Sequence, residues 1–290
     1  MLVLLCALQL WSAKPNIEFH HDEALGYVFD LPVTYNPQIK HWVNFYQTRG
    51  RKWFTKWLTR GQVHLPKLKA KLQAAGLPKD LAYVAMIESG LSVHATSHAA
   101  AVGPWQFIKP TGLRFGLKIN WWLDERRDFD KSTEAAIKYL TYLHKRFDSW
   151  YLAAAAYNTG EGRVSRLIKK YKTRDFWQLA NSRNLATETK QYIPKLVATM
   201  LMAKTPHLYG FTNIPANKEV PAELFYVPGG THLDEIAKHL KVTKKSIYDM
   251  NAALIKKYVP AGVPGYHIRV PQGSTKMLGH YIAKKYENKP

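Results

Sequence analysis

The sequence predicts a mainly α protein, a large helical domain followed by a small α/β module of strand, helix, helix, strand order. Three observations carry this. From Asn36 to Lys204 apolar residues recur at helical spacing, with no alternating strand pattern. A stretch rich in Pro, Gly and Asn interrupts the chain after Pro206. Beyond it, two short strand-like runs bracket two further helical patterns. The 290 residues suffice for one sizeable domain and a smaller one, and 46% hydrophobic content is ordinary for a packed core.

The chain opens with "MLVLLCALQLWSA", too short a run to span a bilayer as a helix. Residues 1–13 read as the apolar part of an export signal with a small-residue stop at Ser12-Ala13, although a basic start is missing and Trp11 stands where a small residue is usual. Export predicts a periplasmic or cell-envelope location, with membrane association a further option. Cys6 is the single cysteine, so neither a disulfide framework nor a cysteine metal site is available. Leu5 before it argues against lipidation there.

The large domain is expected over residues 14–205. Trp42, Phe45, Trp53, Trp57 and Leu58 lie three, four or more apart among many Lys and Arg, which predicts short amphipathic helices with basic outer faces. Pro78 opens the next helix and Gly90 ends it. Ser132 is a candidate N-cap for a helix through Ile137, Leu140, Leu143 and Phe147. An Ala-rich helix, a turn at Asn158 to Gly162 and another helix follow, and "ATETKQYIPKLVATMLMAK" closes the domain with Pro194 read as near a helix start. Residues 206–221 read as a linker, 222–275 as the small module and 276–290 as a tail whose end, "KKYENKP", reads as frayed. A module of about fifty residues is only marginally stable alone.

Lys and Arg total 42 against 21 Asp and Glu, a formal charge of +21. That field favours a polyanionic partner: nucleic acid, an anionic membrane, or an acidic wall surface. No helix-turn-helix, zinc or RNA-binding motif is present, so nucleic acid is not expected. The twelve His show no HExxH-type spacing, and neither metal nor cofactor is expected. Trp105, Trp121 and Trp122 read as core or as platforms for sugar rings, with core preferred.

The chemistry centres on "YVAMIESG", where the apolar run Tyr83 to Ile87 ends in a carboxylate, Glu88. Burying an ionised carboxylate is costly, so Glu88 must find a partner or keep its proton. A protonated carboxyl near neutrality is what a general acid needs. The alternative is a Glu on a solvated helix face, and for a lone Glu that reading is preferred. Its company reverses the preference: "ESGLSVHATSHAAAVGPWQF", then "AAAAYNTGEGRVSRLI", then "ETKQYIPKL".

Taken in this order and spacing, these blocks resemble the lytic transglycosylase family with a lysozyme-like catalytic domain, over about Asn36 to Lys204. The resemblance implies a lysozyme-like fold and a lyase acting on peptidoglycan glycan strands, cutting between N-acetylmuramic acid and N-acetylglucosamine to leave 1,6-anhydro ends without metal or cofactor. It makes Glu88 the sole catalytic acid and base, with Ser89 the small residue after it. Ser97, Gln106, Tyr157, Asn158 and Tyr192 become the substrate-binding set, and Glu188 supports the acid from the "ETxxY" element. Taken singly, Tyr157 also reads as a core aromatic, Asn158 as a helix-ending residue and Gln106 as a surface amide. Lys109 departs from the family pattern, which has proline there; Pro110 comes next. Glu161, in a Gly-rich turn, and Glu188, at a helix start, are the other acids considered, and neither is a convincing second catalytic group. The alternatives are a hydrolytic muramidase and a noncatalytic peptidoglycan-binding protein. Residues 222–275 resemble a LysM domain, a peptidoglycan-binding fold, through "FYVPGGTHLDEIAKHLKVTKKSIYDMN" and "YHIRVP". Gly230 replaces the usual Asp of its turn, and "IKKYVPAGVPG" stretches its second half.

Overall fold

A computed structural model describes residues 18–22 and 27–286; the opening segment read as an export signal lies outside them. The chain forms two compact units, one of Met1–Leu91 with Ala136–Asn217 and one of Ser92–Ala135 with Lys218–Pro290. The boundary near 217 falls in the expected linker, but residues 92–135 group with the small module rather than with the helical domain.

The first unit begins with a hairpin absent from the sequence expectation, β1 (Glu18–Asp22) paired antiparallel with β2 (Tyr27–Thr34). In β2, Phe29, Leu31 and Val33 are buried on alternate positions, the period of a one-sided strand. Helix α1 (Pro37–Gln47) starts where the Asn36 side chain accepts the Ile39 N–H at 2.9 Å. The expected short basic helices after it are one 24-residue helix, α2 (Arg51–Ala74), which carries Pro66 in its interior. Tyr46 stacks on Phe54 with ring centroids 4.6 Å apart, and Trp42 and Trp57 each lie 5.7 Å from Tyr46. Among the aromatics of this stretch, Trp53 is exposed.

A 3₁₀ turn at Lys79–Leu81 leads into α3 (Ala82–Ser89), whose first six residues are all buried. Each large apolar side chain removed from water there contributes about 1.5–3 kcal/mol. Gly90 ends α3 in the left-handed conformation (φ 60°), its N–H bonding Met86 O at 2.9 Å. A Cβ at Gly90 would sit 2.2 Å from the Trp57 ring, so glycine is required by both conformation and space.

Helix α4 (Lys109–Arg114) belongs to the second unit. Helix α5 (Phe129–Phe147) begins three residues before Ser132, which is not its cap: the Asp128 carboxylate accepts the N–H groups of Asp130 and Lys131, each at 3.0 Å. Helix α6 (Trp150–Thr159) is capped by the Ser149 side chain. Helices α7 (Glu161–Tyr171) and α8 (Phe176–Ala180) follow. Helix α9 (Thr187–Lys204) packs on α1, α3 and α6, and the small Ala153 to Ala156 face of α6 is buried. Pro194 lies well inside α9, because the helix already begins at Thr187. The expected linker is fastened to this unit: Phe211 is buried 5.2 Å from Phe54, and Gln62 Oε1 accepts the Asn217 N–H at 2.8 Å.

The second unit contains the expected order as β3 (Ala222–Pro228), α10 (Leu233–His239), α11 (Lys244–Met250) and β4 (Gly265–Pro271), with β3 and β4 antiparallel. Asn251 ties α11 to β4 by exchanging two hydrogen bonds of 2.7 Å with the Arg269 backbone. Two corrections follow from its core. The expected tail is helix α12 (Thr275–Tyr286), with Leu278 fully buried. Trp122 and Leu123 also complete this core, beside Val227, Ile236, Ile247 and Ile268. A module of about fifty residues buries too little apolar surface by itself, and these side chains enlarge what it removes from water. Polar ties reinforce the grouping: Asp124 N–H donates to Ala253 O at 2.8 Å, and Arg269 pairs with Asp128 (2.6 Å) and Asp130 (2.8 Å). Of the three tryptophans weighed, Trp105 and Trp122 are buried and Trp121 is exposed.

Candidate active site

Glu88 occupies the last turn of α3, where the helix leaves carbonyls rather than N–H groups without helical partners. That end carries the negative pole of the helix and disfavours a second negative charge. The residue is partly exposed, but its carboxyl is enclosed enough that removal from water pushes it up to about 7. The hydrogen bond from Tyr192 and the charge of Lys195 oppose that rise, while Glu188 adds to it.

Helix α9 supplies most of the surroundings. The Tyr192 hydroxyl donates to Glu88 Oε1 at 2.5 Å. Tyr157, at the end of α6, and Tyr192 both hold their hydroxyl protons firmly, because burial and the Glu88 charge push them well above the usual tyrosine value. Both are therefore neutral donors throughout the working range of Glu88. Tyr157 also lies 5.1 Å, ring to ring, from Tyr139.

Asn158 joins the two helices: its Oδ1 accepts the Thr189 hydroxyl at 2.8 Å and its amide donates to Glu188 at 3.4 Å. Glu188 is thus linked to Asn158, and Tyr192 is the residue of the "ETxxY" element that reaches the Glu88 carboxyl. Ser89 turns its hydroxyl back onto Ala85 O at 3.3 Å.

The structure brings Glu88, Ser89, Tyr157, Asn158, Glu188 and Tyr192 together within the first unit. Ser97 and Gln106 belong to the second unit. Ser97 is exposed, its Oγ accepting the Ala101 N–H at 3.1 Å. Gln106 has a positive φ of 50° and donates its amide to Gly103 O at 2.8 Å. Such a backbone for a non-glycine residue costs energy and is held by its surroundings. Here the holder is Arg126, whose guanidinium binds Ala100 O (3.0 Å) and Phe107 O (3.1 Å) while paired with buried Asp124.

Arg126 and Lys195 escaped the sequence reading. For Lys195 a signal existed: it stands three residues after Tyr192 and seven after Glu188, on one face of the same helix. For Arg126 the nearby Asp124 was legible as a charge partner, but its bonds to the backbone carbonyls of Ala100 and Phe107 were not. Among the described residues no group of His, Cys, Asp or Glu could hold a metal ion, and no helix is long and apolar enough to cross a membrane.

Beside this site, a carboxyl near neutrality at the end of a buried helix with a tyrosine hydroxyl on it, stands a match in sequence: the family model described as the transglycosylase SLT domain matches residues 67–180. Among its relatives is membrane-bound lytic murein transglycosylase D of Escherichia coli (strain K12), 31% identical over 265 residues, or 89% of this chain and 57% of that protein. The chain therefore spans a little over half the length of that relative. A protein of Alteromonas sp. (strain M-1) named for tributyltin chloride resistance is 40% identical over 116 residues, 40% of this chain and 56% of its own. Among solved structures, an inactive mutant of lytic transglycosylase Slt from Pseudomonas aeruginosa aligns at 22% identity with a TM-score of 0.43, covering 52% of this chain and 25% of that one.

Proposed function

We propose that the protein is a peptidoglycan lytic transglycosylase in which Glu88 is the single general acid and base. The observation that carries this is the Glu88 carboxyl itself, pushed up to about 7 by its removal from water and bonded by the Tyr192 hydroxyl. Glu88 gives its proton to the oxygen joining N-acetylmuramic acid to N-acetylglucosamine, and the C1–O bond breaks with its electron pair leaving on that oxygen. The substrate's own N-acetyl oxygen stabilises the cation at C1. Glu88, now a carboxylate, takes the proton of the muramic C6 hydroxyl as that oxygen bonds to C1, closing the 1,6-anhydro ring. Atoms and charge balance without water. A single residue serves both steps because its affinity for the proton is matched to neutrality.

In this reading Tyr157 and Asn158 contact the glycan beside Glu88, and Glu188 holds Asn158. Ser97, Gln106 and the βααβ module, which is similar to a LysM domain, are glycan-binding elements of the second unit. The charge of +21 keeps the protein on the anionic surfaces of the cell envelope.

The test is mass analysis of purified peptidoglycan digested by the wild type and by Glu88→Gln. Anhydro-muramyl ends from the wild type alone are expected. Reducing ends alone would establish a muramidase, and no cleavage by the wild type would leave a binding protein.

A further inference from the structure

Lys195 has no role in the reaction as written above, yet its ammonium is held on three sides. Its Nζ donates to the Ile87 carbonyl at 2.8 Å, the peptide oxygen immediately before Glu88. The same Nζ lies 5.8 Å from the ring centroids of both Trp42 and Trp57, on α1 and α2. Trp57 in turn packs against Gly90, and Arg60 of α2 donates to Gly90 O at 3.0 Å. Two cations thus cap the carbonyls at the closing turn of α3, one on each side of Glu88. A charge enclosed by rings and deprived of water acts over its distance more strongly than one in solvent.

We propose that Lys195 is the positioning residue of the acid: it fixes the α3 terminus through Ile87 O and stabilises the carboxylate that Glu88 becomes between the two half-reactions. The groups that act with it on Glu88 are Tyr192 and Glu188 from α9 and Tyr157 from α6, with Arg60 of α2 on the turn that follows. Lys195 favours the carboxylate, as does the Tyr192 hydrogen bond, and Glu188 opposes it. The helix end opposes it as well, so one partly buried ammonium keeps the acid from holding its proton too tightly to release it. Burial draws Lys195 below the ordinary lysine value while Glu88 and Glu188 pull it back up.

The role in turnover rests on the transglycosylase reading; the electrostatic coupling does not. Two measurements on the full chain separate them. In the first, Lys195→Met and Lys195→Arg are assayed on purified glycan strands from pH 5 to 9. Lys195→Met is expected to lose about tenfold in kcat, with little change in KM, and to move the alkaline limb of the profile up by about one pH unit. Lys195→Arg, which keeps charge and donor, is expected to restore the limb. In the second, the Glu88 carboxyl is titrated by carbon NMR in the wild type and Lys195→Met, with Glu88→Gln assigning the signal. Its midpoint is expected to rise whether or not the protein cleaves glycan. An unmoved midpoint in folded Lys195→Met overturns the proposal, as does a Lys195→Arg variant as impaired as Lys195→Met with the limb unmoved. A moved midpoint in a protein with no cleaving activity would sink the transglycosylase reading and leave the coupling standing.

Discussion

Replacing Glu88 by Gln should stabilise the protein relative to the wild type by an amount that grows as pH rises from about 4.5 to 7 and levels off above that. The carboxyl rises from 4.5 to about 7 on folding, so the shift is about 7 minus 4.5, or roughly 2.5 units. At 1.36 kcal/mol per unit this is at most about 3 kcal/mol, and about 2 kcal/mol once the partial exposure of the residue is allowed for. The sign follows from proton binding. Between pH 4.5 and 7 the folded state holds a proton that the unfolded chain has released, so this contribution is full below 4.5 and is lost as pH rises through 7. Gln has nearly the same shape and binds no proton, so Glu88→Gln escapes the loss. Urea unfolding of both proteins from pH 5 to 8.5 reads the difference. The gap should widen by about 2 kcal/mol in favour of the variant, which amounts to roughly 4–8 °C in Tm. A gap constant across that range would refute the claim that Glu88 is held protonated by its surroundings. The same substitution should abolish cleavage, so stability and activity are opposed at this residue.

The other predictions probe the supports of the site. Tyr192→Phe removes the donor to Glu88 and should move the alkaline limb of the rate profile upward while lowering kcat about tenfold; an unchanged profile would mean that the hydroxyl neither tunes nor aligns the acid. Gly90→Ala places a Cβ against the Trp57 ring at positive φ and should cost at least about 2 kcal/mol, read as a lowered urea midpoint. Arg126→Met leaves Asp124 buried without its partner; a loss of about 3–5 kcal/mol is expected, with faster amide exchange at Val102 and Gln106, whose loop it holds. Binding of the full chain to anionic vesicles should weaken steeply as salt rises from 0.05 to 0.5 M; salt-independent binding would discount the net charge as a surface anchor.

Much of the helical architecture is legible in the residues because it depends on local spacing. The buried run Tyr83 to Ile87, its termination at Gly90 and the βααβ order after residue 222 all follow from neighbours along the chain. The errors share a different cause. Ser132 resembled a cap, but Asp128 was better placed to accept the first N–H groups of α5. Pro194 read as near a helix start, but it stands seven residues into α9 after Thr187. The segment 92–135 looked continuous with the helical domain because nothing local shows that Trp122 and Leu123 fill another module's core. The β1–β2 hairpin was missed although Phe29, Leu31 and Val33 alternate, since Pro32 and the polar residues around them weaken the pattern.

The site divides in the same way. By itself the sequence determined that a carboxylate ends an apolar helix and that ordered blocks bearing Tyr157, Asn158, Glu188 and Tyr192 follow it. Only the tertiary structure decided what surrounds that carboxylate. Tyr192 donates to it across 104 residues, and Lys195 reaches Ile87 across 108. The physical reason is that a proton affinity is set by distance, burial and neighbouring charge in space, and none of these is local in the chain.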